Sequence, residues 1–167
     1  MMRVGLYRPV HVKSEASQEK RTLLAARKLL QGQNRVIEND IRGLLRSFGL
    51  KVGRTSAGAF DARVRQLVDG LPRLTAIMRP LLEARAVLRS QFATLHRMLL
   101  DLVRDDPVCR RFMTVPGVGA VVAITFQATV DMPQRFAGSK AVGAQFGLTP
   151  SRLLKRVAVY GRFLGRA

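Results

Sequence analysis

One thiol, few acids and no long apolar run mark this sequence of 167 residues. Cys109 alone excludes an intrachain disulfide and leaves no thiolate metal cluster, which fits a reducing cytoplasm. Nowhere do 18 apolar residues run together, and the opening from Met1 to Pro9 has no apolar core of signal-peptide length. Neither export nor a membrane span is therefore expected. Acids are scarcer still: no Asp or Glu precedes Glu15, and Glu38, Asp40, Asp101, Asp105 and Asp106 sit in helical or interhelical contexts without forming a convergent metal set.

What is present in excess is positive charge. The chain has 29 Lys and Arg against 11 Asp and Glu, a formal charge of +18, and an isoelectric point near 11.7. Solubility needs far less, so a polyanionic partner is the natural inference. The arginines are spread along the chain, as expected of folded elements that lay cations along a phosphate backbone rather than of one basic tail. A GC-rich genome would also raise arginine, but it does not account for the shortage of acids. A hydrophobic share of 47% argues for a folded chain.

The pattern predicts a mainly α protein in which long antiparallel, coiled-coil-like helical arms precede a small helix-hairpin-helix domain. Residues 1–13 read as a short extended piece, because Pro9 keeps Arg8 out of helical space and Val10 and Val12 alternate around His11. From Ser14 to Phe48, Leu23, Ala26, Leu30, Ile37, Ile41, Leu44 and Phe48 recur at helical spacing, with Ser14 or Ser17 as N-cap and Gly49 as the stop. Residues 49–59 form a connection. A second section over 60–103 buries Val64, Leu67, Val68, Leu71, Leu74, Ile77, Leu81, Leu88, Phe92, Leu95, Leu99 and Leu102, with breaks or kinks at Pro72 and Pro80. Such a stripe is ordinarily core, and His96 beside it, without a second ligand at metal spacing, is a packing residue rather than a ligand. The expected organisation is an edge piece at 1–13, a helical connector at 14–105, a domain at 106–152 and a divergent basic tail at 153–167.

The candidate site is the turn Pro116-Gly117-Val118-Gly119-Ala120, between two apolar helix ends, with Arg110 and Arg111 beside it. Gly117 and Gly119 have access to backbone angles closed to other residues and let a phosphate approach the main chain. The following helix starts there, so its unpaired amides and positive dipole end face the same anion. Contacts of this kind position a duplex without reading its sequence. A plain αα-turn without ligand has the same local pattern; the net charge favours DNA.

Val115-Pro116-Gly117-Val118-Gly119, then Asp131 to Phe136, then Ala144-Gln145-Phe146-Gly147-Leu148-Thr149-Pro150 resemble, in this order, the C-terminal domain of the IS-one-ten family transposases, the Piv-like DEDD recombinases. The run from Tyr7 to Glu15 resembles the exit from that family's N-terminal catalytic domain, and Ile41 to Leu45 with Phe48 to Lys51 resemble its helical connector. The resemblance covers residues 3 to about 152.

This resemblance implies a DNA-transposition protein of an insertion sequence. It also implies an RNase-H-like domain that holds divalent metal (Mg) through acidic residues, a serine nucleophile in the C-terminal domain, and an element-encoded guide RNA. The acidic residues are expected before Met1, so no cofactor is expected in this chain. The serine is expected in a Ser-Gly step beyond Gly-Leu-Thr-Pro. Ser151 stands close but is followed by Arg152, and reads better as a loop serine or helix cap than as the catalytic serine. The expectation is thus a partial copy, frameshifted after Arg152, that retains binding to DNA and self-association, alone or with full-length transposase, in the bacterial cytoplasm and nucleoid. A stand-alone DNA-binding regulator or inhibitor of the full-length enzyme is the alternative, and a small enzyme using Ser151 a third reading.

Overall fold

The computed structural model describes residues 10–148. These form α1 (Glu15–Arg46), α2 (Phe60–Leu67), α3 (Pro72–Asp105), α4 (Pro107–Phe112), α5 (Ala120–Val130), a 3-10 turn (Pro133–Arg135) and α6 (Ser139–Gln145). No strand occurs among the described residues. The expected edge piece falls largely outside them, and residues 10–13 carry no regular structure. The chain divides into two compact units, 1–129 and 130–167.

In the first unit, α1 starts where its sequence signals put it. Ser14 Oγ accepts the Ser17 amide at 3.3 Å, and Glu15 sets negative charge in the first turn. The helix closes at Gly49, whose φ of +73° is the left-handed conformation such a stop requires. Gly49 N–H donates to Arg46 O at 2.9 Å and Leu50 N–H to Leu45 O at 3.0 Å, so the last carbonyls are satisfied. Leu50 then folds back onto the same core as Leu45.

The second helical section is two helices rather than one. It breaks after Leu67, turns through Gly70 (φ +78°) and restarts with Pro72 in the first turn, where a missing N–H costs nothing. Pro80 is different: α3 continues through it. Apolar side chains on both sides of it, Leu74, Met78 and Leu82, are buried in one core with Ile41 and Leu45 of α1, and that packing offsets the lost hydrogen bond.

α1 packs against α3 at several points. Leu23 and Leu24 pack on a cluster that includes Leu99 and Val103, Arg27 lies over the Phe92 ring at 4.7 Å, and Ile41 and Leu45 join Leu74, Met78 and Leu82. His96 stacks on Phe92 and accepts from Arg27 Nε at 3.3 Å, a packing role. The expected stripes need correction by one step of the helix. Leu45 is buried where Leu44 and Phe48 (61% exposed) were expected, Met78 and Val103 replace Ile77 and Leu102, Leu82 lies deeper than the partly buried Leu81, and Leu71 is exposed. Steps of three and four both stay on one helix face, and here Ile41 to Leu45, Leu74 to Met78 to Leu82, and Leu99 to Val103 fix the buried line.

The deepest polar side chain is Arg85, with no exposed surface. Its Nε donates to Glu38 Oε1 at 2.8 Å, Nη1 to Asp61 Oδ1 at 2.6 Å and Nη2 to Ala57 O at 2.8 Å, while the guanidinium lies 4.6 Å from the Phe60 ring centre. One side chain thereby fastens α1, α2 and the connection between them to α3.

In the second unit, Asp131 takes a left-handed φ of +62°, which a short polar side chain tolerates. Arg135 Nε donates to Val130 O at 3.1 Å and its guanidinium covers the Phe136 ring. α6 ends as α1 does: Gly147 (φ +70°) donates to Ala144 O at 3.1 Å and Leu148 to Gly143 O at 2.9 Å.

Candidate nucleic-acid interface

Asp106 sets up the turn between α4 and α5. Its Oδ1 accepts the amides of Val108 at 2.9 Å and Cys109 at 3.0 Å, capping α4, while Pro107 occupies the first helical position. Its Oδ2 accepts from Gln127 Nε2 at 2.6 Å and from Lys20 Nζ at 3.2 Å. Lys20 also donates to Gln127 Oε1 at 2.7 Å. Three helices are thus tied to one carboxylate. Burial alone pushes that carboxyl up, but the hydrogen bonds from Gln127, the Cys109 amide and Lys20, with the ammonium charge, outweigh it and bring it from its usual 3.8 to about 2. Cys109 is buried beside it; desolvation and the Asp106 charge push its thiol up against a smaller opposing effect of Lys20.

Beyond α4 the chain coils down through Thr114 N–H to Arg111 O, Val115 N–H to Phe112 O and Val118 N–H to Val115 O. Gly117 sits at φ +84°, the left-handed value expected for it. Gly119 does not share that feature, because the sharp reversal is complete at Gly117 and Gly119 only starts α5, its carbonyl accepting Ala123 N–H at 3.0 Å. Neither glycine has an atom within 4 Å of where a Cβ would stand. Val118 and Ala120, with Val121 and Phe112, pack against Leu99, Val103, Cys109, Ala123 and Ile124, and Phe126 meets Phe112 edge-on at 5.1 Å. Pro116, Gly117 and Gly119 remain exposed, as do Arg110 and Arg111.

The turn therefore presents open main chain, two cations and the first amides of α5, which have no intrahelical acceptors. Among the described residues the ion pairs engage Lys20, Arg85 and Arg104 with Asp106, Glu38, Asp61 and Asp101, and neither Arg110 nor Arg111 has an acidic partner. Pro116, Gly117, Val118, Gly119, Ala120, Arg110 and Arg111 are all placed in this one region. Ser151 and the basic tail lie outside the described residues.

Residues 109–153 match the family model "Transposase IS116/IS110/IS902 family". Over these residues the chain is similar to the IS116/IS110/IS902 transposases. It is 27% identical over 148 residues to a probable family 20 transposase of Pseudomonas aeruginosa, covering 86% of this chain and 44% of that protein. It is 25% identical over 145 residues to the transposase for insertion sequence element IS1111A of Coxiella burnetii, covering 84% and 40%. To the transposase for IS1328 of Yersinia enterocolitica it is 26% identical over 113 residues, covering 67% and 34%. The chain spans less than half the length of these relatives. No solved structure matches.

The divalent metal implied by the resemblance to the IS-one-ten transposases finds no cage here: among the described residues no three His, Cys, Asp or Glu converge. The best-placed carboxylates, Glu38, Asp61 and Asp106, are already committed to Arg85, Lys20, Gln127 and backbone amides. No described helix is long and apolar enough to cross a membrane.

Proposed function

We propose that this chain is the nucleic-acid-binding and self-associating part of a DNA-transposition protein, with the Gly117 to Ala120 turn acting as a helix-hairpin-helix that grips a phosphate. The carrying observation is the exposed, glycine-built turn opening onto the start of α5, preceded on α4 by the exposed Arg110 and Arg111, cations that no acid neutralises among the described residues. Anions are attracted there by the amides, the helix dipole and the guanidinium groups together. In this reading α1 and α3 are antiparallel, coiled-coil-like arms, and DNA is the principal partner. An element-encoded RNA and divalent metal belong to the assembled transposition machinery, with strand cleavage carried out by residues other than those described.

A regulatory role through mixed oligomers with full-length transposase is the second reading. It is favoured by Leu29 and Val36, seven residues apart on α1 and more than half exposed, an apolar line suited to a partner helix.

Filter binding to a 24-base-pair duplex over a salt series tests the first reading. Tight binding at low ionic strength with a steep inverse salt dependence is expected. Gly119→Ala, whose Cβ meets no neighbouring atom and stands on exposed main chain, is expected to weaken binding several-fold without lowering thermal stability. A chain that ignores the duplex even at low salt overturns the proposal.

A further inference from the structure

A second concentration of cations lies where α1 ends, and the linear sequence does not single it out. Arg42, Arg46, Lys51, Val52, Gly53 and Arg54 line a cavity of about 290 Å³, near the lower bound of roughly 300 Å³ for small-ligand sites. Four of these six carry positive charge, and none has a carboxylate within ion-pair reach among the described residues.

Hydrogen bonds and a ring contact line the back of the cavity. The Arg42 guanidinium lies 5.0 Å from the Phe60 ring centre and donates to Gly53 O at 2.5 Å and Thr55 Oγ1 at 3.3 Å. With five N–H donors on a guanidinium, this leaves others for a ligand. Val52 is buried in the core and Gly53 turns with a φ of +75°, so Lys51 and Arg54 leave the chain from an anchored loop on either side of that residue pair. Ordering these groups in advance lowers the entropy lost on binding. The C-terminal dipole of α1 works against an anion, but it amounts to about half a charge and its last carbonyls are already answered by Gly49 and Leu50. Four full charges outweigh it.

We propose that this pocket is a separate anchoring site for a backbone phosphate of a nucleic-acid strand. Lys20, which holds the α4–α5 turn, precedes Arg46 by 26 positions on α1, about 39 Å of helix. The two sites therefore engage different phosphates. The inference rests on the nucleic-acid-binding reading, and its chemistry is common to DNA and RNA.

The test compares the full chain, K51Q/R54Q and K28Q/R35Q for binding to a 24-base-pair DNA duplex and a 24-nucleotide single-stranded RNA over a salt series. Lys28 and Arg35 are exposed on α1, at least about 10 Å of helix from Arg42, the nearest pocket residue, which is about one screening length. They control for lost charge alone. Loss of about tenfold in affinity and a salt slope shallower by about 1 to 2 is expected for K51Q/R54Q, and less for K28Q/R35Q, with unchanged thermal melting. The polymer on which the loss appears identifies the strand. Equal losses in both variants, or none in K51Q/R54Q, overturn the pocket while leaving nucleic-acid binding intact. Failure of the unaltered chain to bind either polymer overturns both.

Discussion

Arg85 and Asp106 each tie a turn of the chain to the pair of long helices, but in different surroundings. Arg85 is sealed from water between Glu38, Asp61, Ala57 O and the Phe60 ring. Asp106 keeps part of its surface in solvent and divides its two oxygens between the α4 amides and the Lys20–Gln127 pair. A buried cation tolerates no missing partner, because the remaining charge has neither water nor a counter-ion. A partly wet cap loses its contribution in steps and follows pH. The first device makes one end of the helix pair all-or-none; the second makes the candidate interface adjustable.

Arg85→Met separates these regimes most sharply. Removing the guanidinium leaves Glu38 and Asp61 without their shared partner, and a loss of about 3 kcal/mol is expected in urea unfolding. Arg85→Lys is not expected to restore it, since one ammonium cannot reproduce the fork that reaches three oxygens. If Arg85→Met unfolds at the wild-type urea midpoint, the all-or-none description of that end fails.

At the other end, Asp106→Asn is expected to cost roughly 2 kcal/mol near neutral pH. Because the folded carboxyl lies at about 2, below its usual 3.8, its contribution is complete above the unfolded value and fades as pH falls through the folded one. Wild-type melting temperature should therefore drop between about pH 4 and pH 2 by more than that of Asp106→Asn. Parallel acid profiles for the two proteins contradict the assignment.

The two glycines of the turn refine the comparison on a smaller scale. Gly117→Ala forces a side chain into φ +84° and should cost about 1 kcal/mol in thermal or urea unfolding. Gly119→Ala, with ordinary backbone and open space around it, should stay within about 0.5 kcal/mol of wild type. Equal destabilisation by both would mean that the turn does not pivot at Gly117.

The boundaries of α1 are legible in the sequence because their causes are local: Ser14 caps the helix and Gly49 ends it, each through bonds to neighbours within five residues. The α4–α5 turn is legible for the same reason, through Pro107 and the Pro116-Gly117 step. The face of α3 is not, since its leucines point in several directions and only Ile41 and Leu45 across the interface select Leu74, Met78 and Leu82. Nor is continuity through Pro80, which depends on that same packing. Arg85 is least legible, because its burial is made possible by acids 24 and 47 positions away. Of the candidate contacts, Arg110 and Arg111 are visible as neighbours of a motif, whereas Arg42 and Arg54 meet only after Gly53 turns the chain.

Cys109 has no exposed surface, and its thiol is pushed above the usual range, so little nucleophilic thiolate reaches solvent. Bioconjugation can therefore proceed on the native sequence background. A fluorophore maleimide should mark an introduced surface cysteine such as K51C while sparing the resident sulfur, which gives a single-colour reporter without prior cysteine removal.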